Sequence, residues 1–375
     1  MKKIIIILIS ILFCVTSLSY AQNINWNLTG AGARAAGFGG AFIGVADDAT
    51  AISWNPAGLT QLIDIEASAV MRYITDSYDF VRMGSGNSVN MGHAVLNFGS
   101  IVVPFNIGGL DIVAATATQQ MLDFYCKWEN DTSEGKTTGG VWTYSFGLAT
   151  KILPILSFGA TSNIWNGKYH IESNGSEGDE DFSGFNFNLG AMVNLENLNS
   201  PLPVRLGFGF KSPFDLKGDY GSGTETVQMP TMLGFGGSVR LGDNLTVACD
   251  YETRAYGSSK IVYDDGSETS LSDYDLNQLR VGAEYLVVTD FAVIPLRAGY
   301  HTLPTTYSNW DDAGDENGQV VGSGFSVGTG LIFEKIAIDA TVTMDSYQQD
   351  YMSTVEDYTK VTSTIFTLSG IFYFN

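Results

Sequence analysis

Apolar and polar side chains alternate with a period of two through most of the chain from Ile65 to Asn375. Residues 336–344 place Ile336, Ile338, Ala340, Val342 and Met344 on one face of an extended strand, and Ala337, Asp339, Thr341 and Thr343 on the other. Residues 245–254 divide in the same way. Because successive side chains of a strand point to opposite faces, this pattern predicts β-strands with one apolar and one polar side.

The alternation predicts fourteen strands, and most of them exceed the length of about 5–6 residues that is usual in soluble proteins. They cover residues 65–82, 91–104, 109–124, 140–152, 155–172, 183–196, 202–211, 230–241, 244–257, 277–288, 291–303, 321–333, 335–346 and 360–374. The number is even, and a strand of this length crosses a bilayer at a tilt.

The links between these strands alternate between short and long. The short ones are Asn106–Gly108, Leu153–Pro154, Asn197–Pro201, Gly242–Asp243, Thr289–Asp290 and Glu334; the long polar ones are Gly84–Asn90, Tyr125–Gly139, Ser173–Phe182, Ser212–Met229, Ser258–Leu276, Pro304–Val320 and Tyr347–Thr359. Tight turns on one rim and long loops on the other are typical of an outer-membrane barrel, whereas a soluble sandwich has no reason to sort its loops. The sequence therefore predicts an all-β fold: a transmembrane, fourteen-stranded antiparallel β-barrel over residues 65–375, with both ends of the barrel on the short-turn, periplasmic rim.

The first 21 residues predict a secretory signal peptide. Lys2 and Lys3 precede an apolar run from Ile4 to Phe13, and Ser19-Tyr20-Ala21 supplies small residues before a cleavage site. The apolar run is too short for a membrane anchor. An exported chain with a barrel pattern is expected in the outer membrane of a diderm (Gram-negative) bacterium, in contact with its lipid.

Composition excludes other classes of partner. The formal net charge is -21, which argues against nucleic acid because no basic surface is available to displace the counterions of a phosphate backbone. Cys126 and Cys249 fall in different predicted elements and predict neither a disulfide framework nor a zinc site. The acidic loops resemble a calcium loop only in part, at Asp315, Asn317 and Gly318, so no metal is predicted.

An enzymatic role also finds little support. Residues 324–328 match the spacing of a hydrolase nucleophile elbow around Ser326, but they lie inside a predicted strand instead of a strand-to-helix turn. His93, His170 and His301 fall in separate strands without partner spacing. The sequence predicts a protein that is not an enzyme and that uses no cofactor.

Residues 22–64 do not alternate and are rich in glycine and alanine. Small residues allow one backbone to approach another closely, which suits a segment packed inside the barrel. We call this segment the hatch, and expect Asn55 to bond backbone groups and Pro56 to fix the turn before Ala57. The apolar hatch residues expected to line a pocket are Phe38, Phe42, Ile52, Trp54 and Leu59.

The hatch sequence resembles that of a known family. The stretch from Ala33 through Asp47-Asp48 to the run Trp54–Leu59 (WNPAGL) resembles the N-terminal hatch of the FadL/TodX outer-membrane transporters of long-chain fatty acids and other hydrophobic compounds. Three further stretches resemble the same family: Gly207–Gly218, Pro230–Tyr251 and Leu296–Tyr300. The Asn-Pro-Ala motif is shared with PorV-like relatives that serve protein secretion, so the resemblance also leaves a protein partner open.

The resemblance implies passive uptake of apolar molecules. Ligand would be captured near the outer loops, where Pro213, Phe214 and Met229 are candidates, and would move to an apolar pocket beside the hatch. After a hatch rearrangement it would leave sideways through the wall at a kink in the third strand. A PorV-like secretion or scaffolding role is the alternative, and a polar porin is a second one that the plug-like hatch disfavours.

Seven ionisable residues fall on predicted lumen faces: Asp250, Glu252, Arg254, Arg280, Glu284, Arg297 and Asp339. Because the set contains both acidic and basic groups, it predicts an internal network of ion pairs. Charges that faced lipid instead would cost several kcal/mol. A second interpretation is that Arg280 or Arg297 pairs with the carboxylate of a fatty acid.

Overall fold

The computed structural model describes residues 28–82, 84–130, 133–198, 203–352 and 356–374. The predicted signal peptide lies outside these residues. Nineteen antiparallel segments form one sheet: β1 (Ile65–Arg82), β2 (Ser85–Ile107), β3 (Leu110–Asp123), β4 (Cys126–Asn130), β5 (Ser133–Leu153), β6 (Leu156–Ser173), β7 (Ser176–Asn194), β8 (Val204–Lys211), β9 (Phe214–Asp219), β10 (Thr224–Met229), β11 (Met232–Leu241), β12 (Leu245–Arg254), β13 (Lys260–Tyr263), β14 (Glu268–Ser270), β15 (Leu276–Val288), β16 (Val293–Trp310), β17 (Glu316–Ile332), β18 (Ile336–Met352) and β19 (Asp357–Phe374).

These segments build a closed barrel of fourteen strands, which confirms the predicted fold. Five barrel strands are each interrupted once and comprise two consecutive segments: β3 with β4, β8 with β9, β10 with β11, β12 with β13, and β14 with β15. The first and last segments pair antiparallel from Ile65↔Phe374 to Val81↔Tyr358 and close the barrel. Closure leaves no free sheet edge at this seam, as a barrel surrounded by lipid requires.

The two faces of each strand follow the predicted alternation. In β18, Asp339 is 2% exposed and points to the lumen, whereas Ile338 is 41% exposed and points outward. In β12, Asp250 is buried and its neighbour Tyr251 is exposed. The outward apolar side chains form the surface that lipid would cover.

The prediction of long loops on one rim is wrong, because most of those residues continue the strands as hairpins. Segments β6 and β7, for example, run on to Ser173 and Ser176 and leave only Asn174 and Gly175 in the turn. Both turn residues adopt positive φ, of 49° and 78°, which matches a tight hairpin turn. Around this turn, residues 172–177 are polar on both faces, and the backbone ladder continues although the alternation of hydrophobicity has ended. We call the rim formed by these hairpins the hairpin rim. The opposite rim, which contains Ile65 and Phe374, is the turn rim.

The hatch is described from Leu28 to Asp64 and packs inside the barrel as far as Leu62, after which Ile63 is exposed. It contains helix α1 (Ala33–Gly37), helix α2 (Ala51–Trp54) and a 3₁₀ helix (Pro56–Gln61). Its apolar side chains form one buried core with inward-facing residues of the wall, among them Val70, Phe98 and Met192. Among the described residues, no helix is long and apolar enough to cross a membrane.

Candidate functional site

Asn55 joins the hatch to the barrel wall. Its side chain is completely buried, and its Nδ2 donates to the carbonyl oxygens of Ile43 in the hatch (3.0 Å) and Ala191 in β7 (3.1 Å). Its Oδ1 accepts from the N–H of Ala57 at 3.2 Å and caps the 3₁₀ helix that begins at Pro56. All the polar atoms of this amide therefore bind backbone, which fixes the Asn-Pro-Ala turn against the wall.

Glycines of the wall make this close contact possible. A Cβ added to Gly190 would lie 2.2 Å from Asn55 Oδ1, and one added to Gly207 would lie 2.2 Å from the carbonyl oxygen of Ile43. On the other side of the barrel, Gly282 and Gly299 meet the hatch backbone at Phe38 and Gly39 just as closely. The sequence analysis missed these wall glycines, although glycines at inward positions of predicted strands were the available signal.

The five apolar hatch residues named above pack mainly inside the hatch core. Phe42 lies between Phe38 and Trp54, with ring centroids 6.3 and 6.1 Å away, and Leu59 is completely buried. Ile52 borders a small cavity of about 30 Å³. The assignment of these residues to a ligand pocket stays a prediction.

Charged groups tie the hatch to the wall at several points. Asp47 bridges two arginines, Arg34 of α1 (Nη1 to Oδ1, 2.5 Å) and Arg205 of β8 (Nη1 to Oδ2, 3.0 Å). Burial alone would raise the pKa of Asp47, but the two guanidinium groups outweigh burial and lower it. The adjacent Asp48 lies 3.9 Å from Arg34, and burial raises its pKa. The pKa values of these two neighbouring carboxyl groups are therefore shifted in opposite directions.

Both arginines proposed as carboxylate partners are already paired. Arg280 bonds Glu252 at 3.1 and 3.3 Å and lies over the ring of Trp54. Arg297 bonds Glu284 and Asp339, each at 2.6 Å. Six of the seven lumen residues form two sets of ion pairs: Glu252 with Arg254 and Arg280, and Arg297 with Glu284 and Asp339. Asp250 instead accepts from the N–H of Ile43 at 2.7 Å. A role for Arg280 or Arg297 toward a ligand stays a prediction.

A second apolar cluster fills the lumen nearer the hairpin rim. Its buried members are Leu122, Phe124, Val141, Trp165, Phe182, Leu216, Val227, Met229, Tyr256 and Leu276. Of the three predicted capture residues, Met229 belongs to this cluster, and Phe214 packs against it with its ring 4.7 Å from that of Trp165. Pro213 is exposed in the break between β8 and β9. We call this group the hairpin-side cluster.

A cavity of about 230 Å³ lies between the hatch and the hairpin rim. Leu28 and Thr29 of the hatch border it, and so do Phe124 and Leu276 of the hairpin-side cluster. The remaining wall combines apolar side chains with polar ones: Arg72, Asp76, His93, Asp123 and Asp345. The sequence analysis named His93 only as an isolated strand histidine and did not select the other four. The sequence could have indicated these residues, because each is a titratable side chain at an inward position of a predicted strand. The strands are 65–82, 91–104, 109–124 and, for Asp345, 335–346.

The backbone ladder between the second and third barrel strands ends beside this cavity. Segments β2 and β3 pair from Ile107↔Leu110 only as far as Phe98↔Gln119, and the third strand is then interrupted between Asp123 and Cys126. Farther toward the hairpin rim, β3 and β4 pair with β5, and no ladder to β2 is present among the described residues. The barrel wall therefore has an interstrand gap at the cavity.

Side chains bridge the interstrand gap. His93 Nε2 of β2 lies 2.6 Å from Asp123 Oδ2 of β3, and its ring stacks on Tyr125 with a centroid distance of 4.3 Å. Asn97 Nδ2 donates to the carbonyl oxygen of Gln120 at 3.2 Å. Side-chain contacts can be exchanged for ligand contacts more readily than a continuous backbone ladder can.

Neither a metal centre nor a nucleophile elbow is seen in the described part of the chain. It has no group of three or more His, Cys, Asp or Glu residues that could hold a metal ion. Ser326 is a hatch contact, since its Oγ accepts from the N–H of Gly39 (3.1 Å) and donates to the carbonyl oxygen of Gly37 (3.3 Å).

The barrel was compared with known protein families, sequences and structures. No family model and no curated protein sequence matches the chain. Its fold is similar to that of a Pseudomonas aeruginosa FadL homologue (TM-score 0.68, 14% identity, covering 93% of this chain and 99% of that one). It is also similar to the P. putida toluene transporter TodX (0.65, 15%, 93% and 99%) and the Ralstonia pickettii toluene transporter TbuX (0.61, 15%, 93% and 100%). The chain therefore has the FadL/TodX fold, a fourteen-stranded barrel.

Proposed function

We propose that this protein is an outer-membrane transporter that takes up hydrophobic molecules passively. The observation that carries the proposal is the position of the cavity, between the hatch and an interstrand gap in the wall. The similar structures include toluene transporters and a FadL homologue, which supports hydrophobic compounds as the substrate class. Long-chain fatty acids, which the sequence resemblance implies, are the first ligands to test.

Capture is assigned to the hairpin rim, which we place on the outer side of the membrane. An apolar molecule that reaches Phe214 and Met229 meets the hairpin-side cluster instead of a water-filled channel. Burial of each methylene contributes about 0.8 kcal/mol, so a short hydrocarbon gains enough to leave water. The cluster shares Phe124 and Leu276 with the cavity wall, so the two sites adjoin.

Release is assigned to the interstrand gap. Leu28 and Thr29 of the hatch border the cavity, and a rearrangement of the hatch would let the ligand move toward His93 and Asp123. Exchange of those side-chain contacts would then open a way from the cavity into the hydrocarbon of the bilayer. An apolar molecule needs no energy source for this step, because lipid is a favourable environment for it.

Native mass spectrometry of the detergent-purified mature protein, with organic extraction of bound molecules, tests the proposal. We expect an apolar ligand that is bound by the wild type and is changed in amount in Asn55→Ala, because that substitution frees the hatch from Ala191. Liposomes containing the wild type should take up labelled toluene or palmitate faster than protein-free liposomes. An empty barrel with a stoichiometric exported protein would support the secretion role instead, and steady ion conductance in a planar bilayer would indicate a porin.

A further inference from the structure

The polar wall of the cavity is acidic. Three carboxylates, Asp76, Asp123 and Asp345, border it together with a single guanidinium, that of Arg72. Asp345 and Asp123 lie close enough to Arg72 to interact with its charge, so the single guanidinium faces two carboxylates. The three carboxylates and one guanidinium have a formal charge of -2. An anionic ligand would meet repulsion here, and neither Arg280 nor Arg297 borders the cavity to compensate.

Asn97 borders the same cavity and carries an unused acceptor. A β-bulge in β2, where the pairing with β1 shifts between Val70 and Met71, turns both Asn97 and Phe98 inward. Asn97 is 2% exposed, and its Nδ2 must face the carbonyl oxygen of Gln120, which only accepts. Its Oδ1 therefore points the other way, and it has no hydrogen-bond partner among the described residues. A buried acceptor left unpaired is costly, and a ligand that donates to it removes the cost.

Arg72 presents an unused donor beside this acceptor. Its Nε is buried and has no hydrogen-bond partner among the described residues. Arg72 pairs in register with Val95, which places Asn97 at the diagonal position on the neighbouring strand. Diagonal neighbours have Cα atoms about 7–8 Å apart, so one small group can reach both side chains.

We propose that the cavity selects an uncharged hydrophobic molecule with a single hydroxyl group, such as an alkyl alcohol or a phenol, over a fatty carboxylate. This inference rests on the proposed function. After a small rotation that brings these two buried atoms to the cavity, the hydroxyl donates to Asn97 Oδ1 and accepts from Arg72 Nε. Ile74, Val95, Leu303 and Ile365 surround the hydrocarbon. A carboxylate offers no proton to Asn97 and adds charge to an acidic wall, whereas a hydrocarbon leaves both polar atoms unpaired.

Equilibrium dialysis of the mature protein in lipid nanodiscs, with empty nanodiscs to correct for partition into lipid, tests the selection. Labelled octane, 1-octanol, octanoate and octylamine are compared at pH 8, since they share a chain length and differ in the polar end. We expect octanol to bind about tenfold more tightly than octane, the factor given by one ordinary hydrogen bond, and octanoate to bind more weakly than octanol.

Substitutions test whether the preference for octanol depends on Asn97 and on the charge of the cavity wall. Asn97→Leu should lower octanol affinity about tenfold and leave octane affinity unchanged, because only the hydrogen bond is lost. Asn163→Leu is the control, since this buried lumen asparagine borders the smaller cavity but not this one. Asp76→Asn should raise octanoate affinity without changing octane affinity, and a heat-shifted electrophoretic mobility verifies that each variant is folded.

Different results would contradict the hydroxyl selection and the proposed transport function. If octanoate or octylamine binds wild type more tightly than octanol, or if Asn97→Leu leaves the octanol-to-octane ratio unchanged, the hydroxyl selection is overturned while uptake of hydrophobic molecules stands. If none of the four molecules binds above the empty-nanodisc level, the proposed function itself fails.

Discussion

Arg34 of the hatch forms two parallel hydrogen bonds with Glu284 of β15, from Nε to Oε2 and from Nη2 to Oε1, each at 3.1 Å. The two residues are 250 positions apart in sequence, and no local pattern relates them. The same guanidinium pairs with Asp47, so one side chain connects two parts of the hatch to the barrel wall. Bidentate pairing of this kind fixes orientation as well as distance.

Arg34→Met should destabilise the folded protein, because it leaves Asp47 and Glu284 without this partner. Arg34 is 19% exposed, so we expect a loss of about 2–3 kcal/mol in the free energy of unfolding, somewhat less than for a fully buried pair. Urea unfolding monitored by tryptophan fluorescence measures it. Arg240→Met is the control: Arg240 pairs with Glu196 at 3.4 Å but is 45% exposed, and its loss should cost less than about 1 kcal/mol. Equal effects of the two variants would contradict the prediction.

Asp47 should make stability sensitive to acid. Because its two arginines lower its pKa in the folded state, it contributes stability above its unfolded pKa of about 3.9, and the contribution is lost as pH falls through the folded pKa. Asp47→Asn should therefore be less stable at pH 7 and show a flatter loss of unfolding free energy below about pH 5.

Asp48→Asn is the matched control for this pH dependence. Burial raises the pKa of Asp48, so its charged form does not favour folding at neutral pH. The amide oxygen of asparagine can still accept from the N–H and hydroxyl groups of Thr50, as Asp48 Oδ1 does. We expect no loss of stability at pH 7, and an acid response of Asp47→Asn that matched the wild type would refute the assignment.

Gly190→Ala should displace the hatch. The added methyl group would lie 2.2 Å from Asn55 Oδ1 and 2.8 Å from Pro56 Cδ, so the Asn-Pro-Ala turn could not stay in place. We expect a loss of about 1–3 kcal/mol, the range for overpacking, and faster proteolysis within the hatch. Gly370→Ala in β19 meets nothing within 4 Å and should change stability by less than about 0.5 kcal/mol. If the two alanine variants resist protease equally, the close contact between Gly190 and the hatch does not hold the hatch in place.

Modification of Cys126 should block binding. Cys126 borders the cavity and is only 2% exposed, whereas Cys249 is exposed on the outer face of β12. In a Cys249→Ser background, methyl methanethiosulfonate should reach Cys126 slowly and reduce uptake of a hydrophobic probe, and saturation with that probe should slow the labelling. Cys126→Ser should be insensitive to the reagent. Complete labelling with undiminished uptake would place the transport path elsewhere.

The sequence alone determined the barrel. Alternation reports which face of a strand is apolar, and this local property allowed fourteen strands and both faces of β12 and β18 to be read correctly. It could not show that Ser173 and Ser176 continue their strands, because residues 172–177 are polar on both faces and the backbone ladder leaves no mark in hydropathy. The Asn-Pro-Ala turn was recognisable because Asn55 and Pro56 act on their own backbone neighbours.

Only the tertiary structure decided how the hatch is seated and where the wall is open. The contact of Asn55 with Ala191, the pairing of Arg34 with Glu284 and the approach of Gly190 to the hatch join residues more than 130 positions apart. The interstrand gap depends on where the pairing of β2 with β3 stops, which is a property of two strands together. Closure of the barrel brings these distant groups to one place, and no periodicity within a single strand encodes that meeting.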